Sequence, residues 1–273
     1  MNQPGRHETR KRDVLGVMVT AVEPHEAVAA ILEAAHYRRP FSATATAVHG
    51  LMTGVEDGEH RYRLNHFDMV LPDGQPVRWA LNLLHRCGLR DRVAGPDLAW
   101  RLCRAAAQEG LPVYFYGSTT ETLLALTTRL GLRLPGLRIV GAVPSLFRRQ
   151  SEPEVEAAAA AICASGAALV FVGLGCPRQE VWAYENRDRL GVPVIAVGAA
   201  FDFHAGTIPR APELLGRLGL EWLFRLAHEP RRLWRRYLWL NPRFLALLAQ
   251  QLAGLRRADP VGSSAPQTVE RYG

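Results

Sequence analysis

The chain has 273 residues, 48% of them hydrophobic, which is enough for a large buried core and excludes a disordered chain. Its formal net charge of +7 comes almost entirely from arginine, because Lys11 is the only lysine. The N-terminus is polar, and no run of about 18 apolar residues occurs anywhere, so we expect neither a signal peptide nor a membrane-spanning helix.

The order of predicted elements is that of an α/β protein with a mostly parallel, Rossmann-like sheet covered by helices on both faces. Strand-like runs alternate with helical patterns, and few hairpin signals occur between them. A parallel sheet of this kind binds ligands at the carboxyl ends of its strands. The predicted strands lie at residues 13–19, 41–48, 67–71, 112–117, 137–141, 167–173 and 192–198. The main predicted helices lie at 23–38, 76–84 and 95–110, and two more begin at the capping-box patterns Ser118-x-x-Glu121 and Ser151-x-x-Glu154.

The pattern divides the chain into four parts. Residues 14–208 are predicted to form the main α/β domain, and residues 209–254 a basic, aromatic, helical appendage. Residues 1–13 and 255–273 are expected to be flexible tails, because neither contains a periodic apolar pattern.

Polar residues stand at the ends of two early strands. Asp73-Gly74 follows the strand at 67–71, and a carboxylate there could act as a general base with room for a substrate beside the glycine. The alternative is a turn aspartate that caps the next helix. Thr44 and Thr46 could hydrogen-bond a hydroxylated ligand, although threonine in a strand is usually a packing residue.

A glycine-rich corner follows the strand at 167–173. The run reads FVGLGCPRQE, and its Gly173, Gly175 and Pro177 are typical of a strand-to-helix turn. Backbone N–H groups at such a turn can hold an anion. The alternative is an ordinary βα turn, because Gly-x-Gly by itself is a weak signal.

The C-terminal appendage concentrates the positive charge. Between Arg210 and Arg243 there are eight arginines and three glutamates, a local balance of +5, together with several aromatic residues. A basic and aromatic segment is typical of contact with a phosphorylated ligand, a polyanion or an anionic membrane. The same aromatics could instead pack on the sheet, or on a second copy of the chain in a homo-oligomer.

The sequence predicts no dedicated metal site. No cluster of histidine, cysteine and aspartate has metal-ligand spacing, and Cys87, Cys103, Cys163 and Cys176 lie far apart. We expect these four residues to be reduced, mostly buried thiols in a cytosolic protein.

Several of these stretches together resemble the WecG/TagA/CpsF glycosyltransferases, glycosyltransferase family 26. The resemblance covers roughly residues 14 to 243, and its most specific part is the joint match of a Gly-x-Pro-x-Gln-Glu corner, Arg-Ala-Pro and Glu-Trp-x-x-Arg. The matching stretches are VHGLM, FDMVLPDG, RVAGPDL, YFYGS, PGLRIVG, FVGLGCPRQEVW and AVGAAFDFHAGTIPRAPELLGRLGLEWLFRLAHEPRRLWRRY.

The resemblance implies an inverting transfer of a hexose or N-acetylhexosamine from a UDP-sugar to a polyprenyl-diphosphate-linked saccharide at the cytosolic face of the membrane. Family members transfer N-acetylmannosamine or other hexoses in cell-wall, antigen or capsule assembly. They are expected to need no cofactor and no metal, with Asp73 as the general base. Cationic side chains must then stabilise the departing diphosphate.

The resemblance also assigns residue roles. Arg225, Arg232 and Arg235 match arginines credited with activity and diphosphate contact, and Gln179 matches the glutamine of the donor corner. The family often has asparagine where Thr46 stands, and Pro76 replaces a glycine, so the identity of donor and acceptor is open. The expected substrate-binding residues are Thr44, Thr46, Arg92, Gly117, Gly173, Gly175, Gln179, Glu180, Arg225, Arg232 and Arg235.

Three other classes of protein share some of these sequence features. An NAD-dependent oxidoreductase usually has Gly-x-Gly-x-x-Gly after its first strand, and the segment LGVMVTAVEP lacks it. A nucleic-acid-binding module would explain the arginines, but no recognised nucleic-acid-binding pattern accompanies them. A non-enzymatic scaffold bound to the membrane surface remains open from the C-terminal segment alone.

Overall fold

The computed structural model describes residues 10–209, 211–212, 215, 221–228, 230–256, 265–267 and 272–273. A two-stranded antiparallel hairpin precedes a six-stranded sheet in which every strand pairing is parallel. The hairpin consists of β1 (Lys11–Val14) and β2 (Val17–Thr20). The sheet strands are β3 (Phe41–Thr46), β4 (Met69–Pro72), β5 (Val113–Gly117), β6 (Ile139–Val143), β7 (Leu169–Gly173) and β8 (Pro193–Ala196).

The strand order across the sheet is β4-β3-β8-β7-β5-β6. The chain therefore builds one edge first with β3 and β4, crosses to β5 and β6 at the other edge, and fills the centre with β7 and β8. β3 thus lies beside β8, and β8 beside β7, although the three strands are far apart in sequence. The carboxyl ends of β3, β4, β7 and β8 consequently meet at one edge of the sheet, where a ligand is expected.

Helices cover both faces of this sheet and bury a separate apolar core on each face. One core is formed with α1, α5, α6 and α9, and the other with the hairpin and the remaining packed helices. The helices of the catalytic region are α1 (Pro24–His36), α2 (Val48–Glu56), α3 (Gly58–Asn65), α4 (Gln75–His85), α5 (Gly95–Glu109), α6 (Thr120–Arg133), α7 (Glu152–Ala164), α8 (Arg178–Leu190) and α9 (Ala200–Ala205). The predicted Rossmann-like fold is confirmed.

Three local predictions differ from the structure. The strand predicted at 13–19 is a hairpin, which turns at Leu15 and Gly16 with φ values of 58° and 96°. α2 and α3 were not predicted at all. α6 is capped by Thr119, whose side chain accepts a hydrogen bond from the Thr122 N–H, so the cap lies one residue beyond Ser118.

The Ser151 capping box is present as predicted. The Glu154 carboxylate accepts a hydrogen bond of 2.8 Å from the Ser151 N–H at the start of α7. The Arg148 guanidinium beside it, with the Ser151 hydrogen bonds, lowers the pKa of Glu154 to about 2.

The C-terminal segment is helical and partly built into the core. It contains α10 (Glu221–His228), α11 (Pro230–Arg235), a π-helical turn (Arg236–Leu240) and α12 (Asn241–Leu252). Phe244 and Leu248 of α12 belong to the core on the hairpin side of the sheet. α12 packs against α2 and α4, so this part of the predicted appendage contributes to the core of the α/β fold.

Described residues near both ends of the chain make contacts with the α/β fold. β1 begins at Lys11, inside the predicted N-terminal tail, and residues 1–9 lie outside the described part of the chain. At the other end, Tyr272 forms a bridge with Arg149, and the Gly273 carbonyl accepts hydrogen bonds from the Ser145 hydroxyl and the Phe147 N–H.

Candidate active site

Asp73 lies directly after β4, at the carboxyl edge of the sheet. Its N–H donates hydrogen bonds to the carbonyls of Thr46 (3.1 Å) and Leu71 (2.9 Å), which hold the residue against the end of β3. Its Oδ2 accepts a hydrogen bond of 3.3 Å from the Gly95 N–H in the first turn of α5. The carboxylate therefore faces the N-terminal end of a 15-residue helix, where the helix dipole favours a negative charge.

Arg92 lies near the same edge because the next residue, Val93, is hydrogen-bonded to the end of β4. The Val93 N–H donates to the Pro72 carbonyl at 3.0 Å, so the segment before α5 runs along the end of β4 beside Asp73. Arg92, Asp97 and Arg101 line a small depression of about 40 Å³ that is open to solvent. The structure thus places a partly buried arginine one short segment away from the candidate base, and its predicted role in substrate binding stays a prediction.

Thr44, Thr46, Gln179 and Glu180 form a hydrogen-bonded network under the glycine-rich corner. Glu180 Oε1 accepts from the Thr44 hydroxyl at 3.1 Å and from Gln179 Nε2 at 2.8 Å. The Thr46 hydroxyl donates to Thr44 Oγ1 at 3.5 Å. All four side chains are buried, with Gln179 and Glu180 each 3% exposed. Glu180 therefore connects Thr44 to Gln179. The Gln179 side chain also lies beside Gly198.

Gly117 and Gly173 allow β5 and β7 to end in close contact. Gly117 has a φ of +110°, and a Cβ at this position would lie 2.8 Å from the Gly173 carbonyl carbon and oxygen. A Cβ on Gly173 would lie 2.7 Å from the ring of Phe201 in α9. Packing alone therefore requires both glycines, whatever they contribute to a ligand. Gly175, with a φ of +77°, has open space around the position of a Cβ.

A second polar cluster lies next to this network. Ligand atoms of His60 in α3, Cys176 in the corner and Glu180 in α8 all lie within 4.8 Å of one another. His60 is 1% exposed, and neither ring nitrogen has a hydrogen-bond partner among the described residues. Burial lowers the pKa of His60, so its ring is neutral near pH 7. The sequence did not indicate this cluster.

The C-terminal arginines are only partly described. The side chains of Arg225, Arg232 and Arg235 lie outside the described part of the chain, so their predicted approach to the diphosphate stays a prediction. Arg243 forms an ion pair with Glu56 of α2, which connects α12 to the catalytic region. At least one arginine of the basic segment therefore has an internal partner.

The structure also shows the surroundings of His204 and of the four cysteines. His204 donates a 2.8 Å hydrogen bond from Nε2 to the Pro96 carbonyl and stacks on Trp100, which connects α9 to the start of α5. All four cysteines lie in the described part, and none forms a disulfide. Their predicted burial is wrong for Cys163, which is exposed, and complete only for Cys103, where burial raises the pKa to about 12.

A carboxylate at the end of a parallel strand, facing a helix N-terminus and flanked by an arginine and a buried threonine–glutamine network, is the arrangement of an α/β enzyme with its substrate at the strand ends. Residues 12–258 match the Glycosyl transferase WecG/TagA/CpsF family, and the chain belongs to that family. It is 33% identical, over 194 residues, to an N-acetylglucosaminyldiphosphoundecaprenol N-acetyl-beta-D-mannosaminyltransferase of Bacillus spizizenii. That alignment covers 71% of this chain and 73% of the relative. The protein is therefore a glycosyltransferase.

Sequence reasoning missed Gly95 and His60 as members of this region. Gly95 belongs to RVAGPDL, one of the stretches that match the family, but nothing in that stretch indicates that its N–H donates a hydrogen bond to Asp73. His60 lies in the charged run GEHRYRLN, which has no apolar periodicity that would indicate a buried side chain. Only the packing of α3 against α8 reveals its position.

Proposed function

We propose that this glycosyltransferase moves N-acetylmannosamine, or a closely related hexose, from a UDP-sugar to a polyprenyl-diphosphate-linked N-acetylglucosamine with inversion at the anomeric carbon. The observation that supports the proposal most directly is the position of Asp73, with Oδ2 3.3 Å from the Gly95 N–H at the carboxyl edge of the sheet. The activity for which the Bacillus spizizenii relative is named supports the choice of sugar and acceptor.

The proposed chemistry is a single in-line displacement. The acceptor hydroxyl attacks the anomeric carbon, its proton passes to the Asp73 carboxylate, and the bond from the anomeric carbon to the UDP oxygen breaks. One bond to the anomeric carbon forms as one breaks on the opposite face, so the configuration inverts. The Gly95 N–H holds the carboxylate in one orientation, which favours attack from a fixed direction.

Arginines are proposed to take the charge of the departing UDP. Arg92 and Arg101 line a depression at the start of α5, the helix whose Gly95 N–H contacts Asp73. Arg225, Arg232 and Arg235 occur in the helices that follow the α/β region. Charge-assisted contacts from arginine to phosphate are worth roughly 1.5–3 kcal/mol each. Such contacts would replace the divalent cation that many transfers from nucleotide-sugars use.

Proposed membrane contact follows from the exposed aromatic surface of the C-terminal segment. Trp234, Leu238 and Trp239 are exposed, while the neighbouring Leu233 is buried, so the segment has one face in the fold and one face outside it. None of the described helices is long and apolar enough to cross a membrane. We propose that this face rests on the anionic surface of the membrane that carries the polyprenyl acceptor, with the protein on its cytosolic side.

A matched set of donors and acceptors tests the proposal. Purified protein should transfer N-acetylmannosamine from its UDP derivative to a polyprenyl-diphosphate N-acetylglucosamine, and the product of an α-linked donor should carry a β linkage by NMR. Transfer to that acceptor from other UDP-hexoses but not from UDP-N-acetylmannosamine would correct the sugar alone. An α-linked product would contradict the single displacement.

A further inference from the structure

We propose that His60, Cys176 and Glu180 bind one divalent transition-metal ion, for which zinc is the best match. The proposal concerns a buried site beside the glycine-rich corner and does not depend on the identity of donor or acceptor. The three residues come from α3, from the corner after β7 and from α8, so no sequence spacing announces them.

The first observation is the convergence of three different ligand atoms. An imidazole nitrogen, a thiol sulfur and a carboxylate oxygen all lie within 4.8 Å of one another. Ligand atoms around tetrahedral zinc are about 3.5 Å apart, so the side chains need to approach by about 1 Å, which side-chain rotation can supply.

The second observation is independent of the first and concerns His60. The side chain is 1% exposed, and neither Nδ1 nor Nε2 has a hydrogen-bond partner among the described residues. An unsatisfied polar group in the interior costs about 1–3 kcal/mol, so a buried imidazole with two unsatisfied nitrogens needs an explanation. A metal ion bound to one nitrogen removes part of that cost, because imidazole nitrogen is a common metal ligand.

Glu180 divides its two oxygens in a way that suits the same ion. Oε1 accepts the hydrogen bonds from Thr44 and Gln179, whereas Oε2 is buried and has no hydrogen-bond partner among the described residues. A metal-binding carboxylate is commonly held by hydrogen bonds to its other oxygen. Thr44 and Gln179 would therefore orient the ligand, and Oε2 would bind the ion.

The donor set selects the class of metal. Magnesium and calcium prefer oxygen ligands, whereas a site with nitrogen, sulfur and oxygen suits zinc or a neighbouring transition metal. Three protein ligands leave the fourth position of a tetrahedral site to a water molecule. The ion would connect α3 to the corner and stiffen the backbone that carries Gln179, at the same carboxyl edge of the sheet as Asp73.

Metal analysis of the purified protein tests this directly. Protein produced without a histidine tag in zinc-supplemented medium should contain about one zinc per chain after gel filtration. Cys176→Ser and His60→Gln should each weaken zinc binding more than about tenfold, because each removes a ligand. Cys163→Ser is the matched control and should keep the wild-type metal content, because Cys163 is exposed and outside the cluster.

Cobalt provides a second readout that does not depend on activity. Reconstitution of metal-free protein with Co²⁺ should produce a thiolate-to-cobalt absorption band that Cys163→Ser retains and Cys176→Ser loses. Wild-type protein that contains no zinc and binds neither Zn²⁺ nor Co²⁺ would overturn the proposal and favour a direct hydrogen bond between His60 and Glu180. Zinc that remains fully bound in Cys176→Ser would overturn it too, because the ion would then lie elsewhere.

Discussion

At the scale of single residues, Asp73 is the side chain on which the proposed reaction depends. Asp73→Asn keeps the size of the side chain and the contact with Gly95 but removes the proton acceptor. We expect kcat to fall by about 100-fold or more, the usual range of general base catalysis, with little change in donor binding. Steady-state kinetics and calorimetric titration with the donor measure the two effects. Asp188→Asn is the control, because that aspartate is exposed on α8. If Asp73→Asn turns over near the wild-type rate, Asp73 is not the general base.

Gly95 permits the contact between α5 and Asp73. A Cβ at this position would lie 2.9 Å from the Val197 carbonyl oxygen and 3.3 Å from the Ala45 side chain. Gly95→Ala should therefore push the start of α5 away from the strand ends and lower kcat/KM by about tenfold or more, since a small displacement of a catalytic group is costly. Gly131→Ala, in α6 with open space around the position, should leave kcat/KM unchanged. Equal kinetics for both variants would show that α5 does not orient Asp73.

At the scale of elements, the sequence identified the sheet better than the site. Asp73, Thr44 and Gln179 could be predicted at one edge of the sheet because the carboxyl ends of parallel strands meet there. The hairpin was missed because Leu15-Gly16 is not one of the common two-residue turn sequences. α3 was missed because it buries few apolar side chains and is charged along most of its length. The burial of His60 could not be predicted either, because α3 packs against α8, which is distant in the sequence.

α12 is the element whose role the structure changes most. Phe244 is 1% exposed and lies in the core on the hairpin side, whereas its neighbour Leu245 is 59% exposed. Phe244→Ala should lower the free energy of unfolding by about 3–5 kcal/mol, and Leu245→Ala should change it little. Urea denaturation followed by tryptophan fluorescence measures both. If the two variants are equally stable, α12 is not part of the core. In that case removal of the chain after Pro209 would leave a folded protein, whereas we expect this truncation to unfold it.

For the molecule as a whole, the proposed mechanism uses arginines and no divalent cation on the departing diphosphate. A catalytic ion supplies several kcal/mol, so its removal would reduce activity by far more than about twofold. We expect initial rates within about twofold of the untreated enzyme when EDTA is added to the assay. Addition of Mg²⁺ or Mn²⁺ should not raise the rate either. Activity abolished by EDTA and restored by Mg²⁺ would contradict the arginine mechanism, whereas loss restored only by Zn²⁺ would locate the dependence at the His60 cluster.

The exposed face of the C-terminal segment is proposed to bring the whole molecule to the membrane, because the polyprenyl chain of the acceptor cannot leave the bilayer. Trp239 is 72% exposed and Trp234 lies on the same segment, so insertion of both rings into the headgroup region would bury apolar area that is otherwise in water. Replacement of both by serine should weaken binding to anionic vesicles by at least about tenfold, since full burial of one such ring contributes about 2 kcal/mol.

Vesicle flotation measures this binding, and Leu132→Ser is the control, because Leu132 is equally exposed but belongs to α6 on the opposite face of the sheet. The tryptophan variant should keep its rate with a short-chain, water-soluble acceptor and lose rate with the polyprenyl acceptor in vesicles, because only the second reaction needs the membrane surface. Unchanged flotation would show that these rings serve another contact. A chain that dimerises in the wild type and is monomeric in the variant would identify that contact as a second copy of the protein.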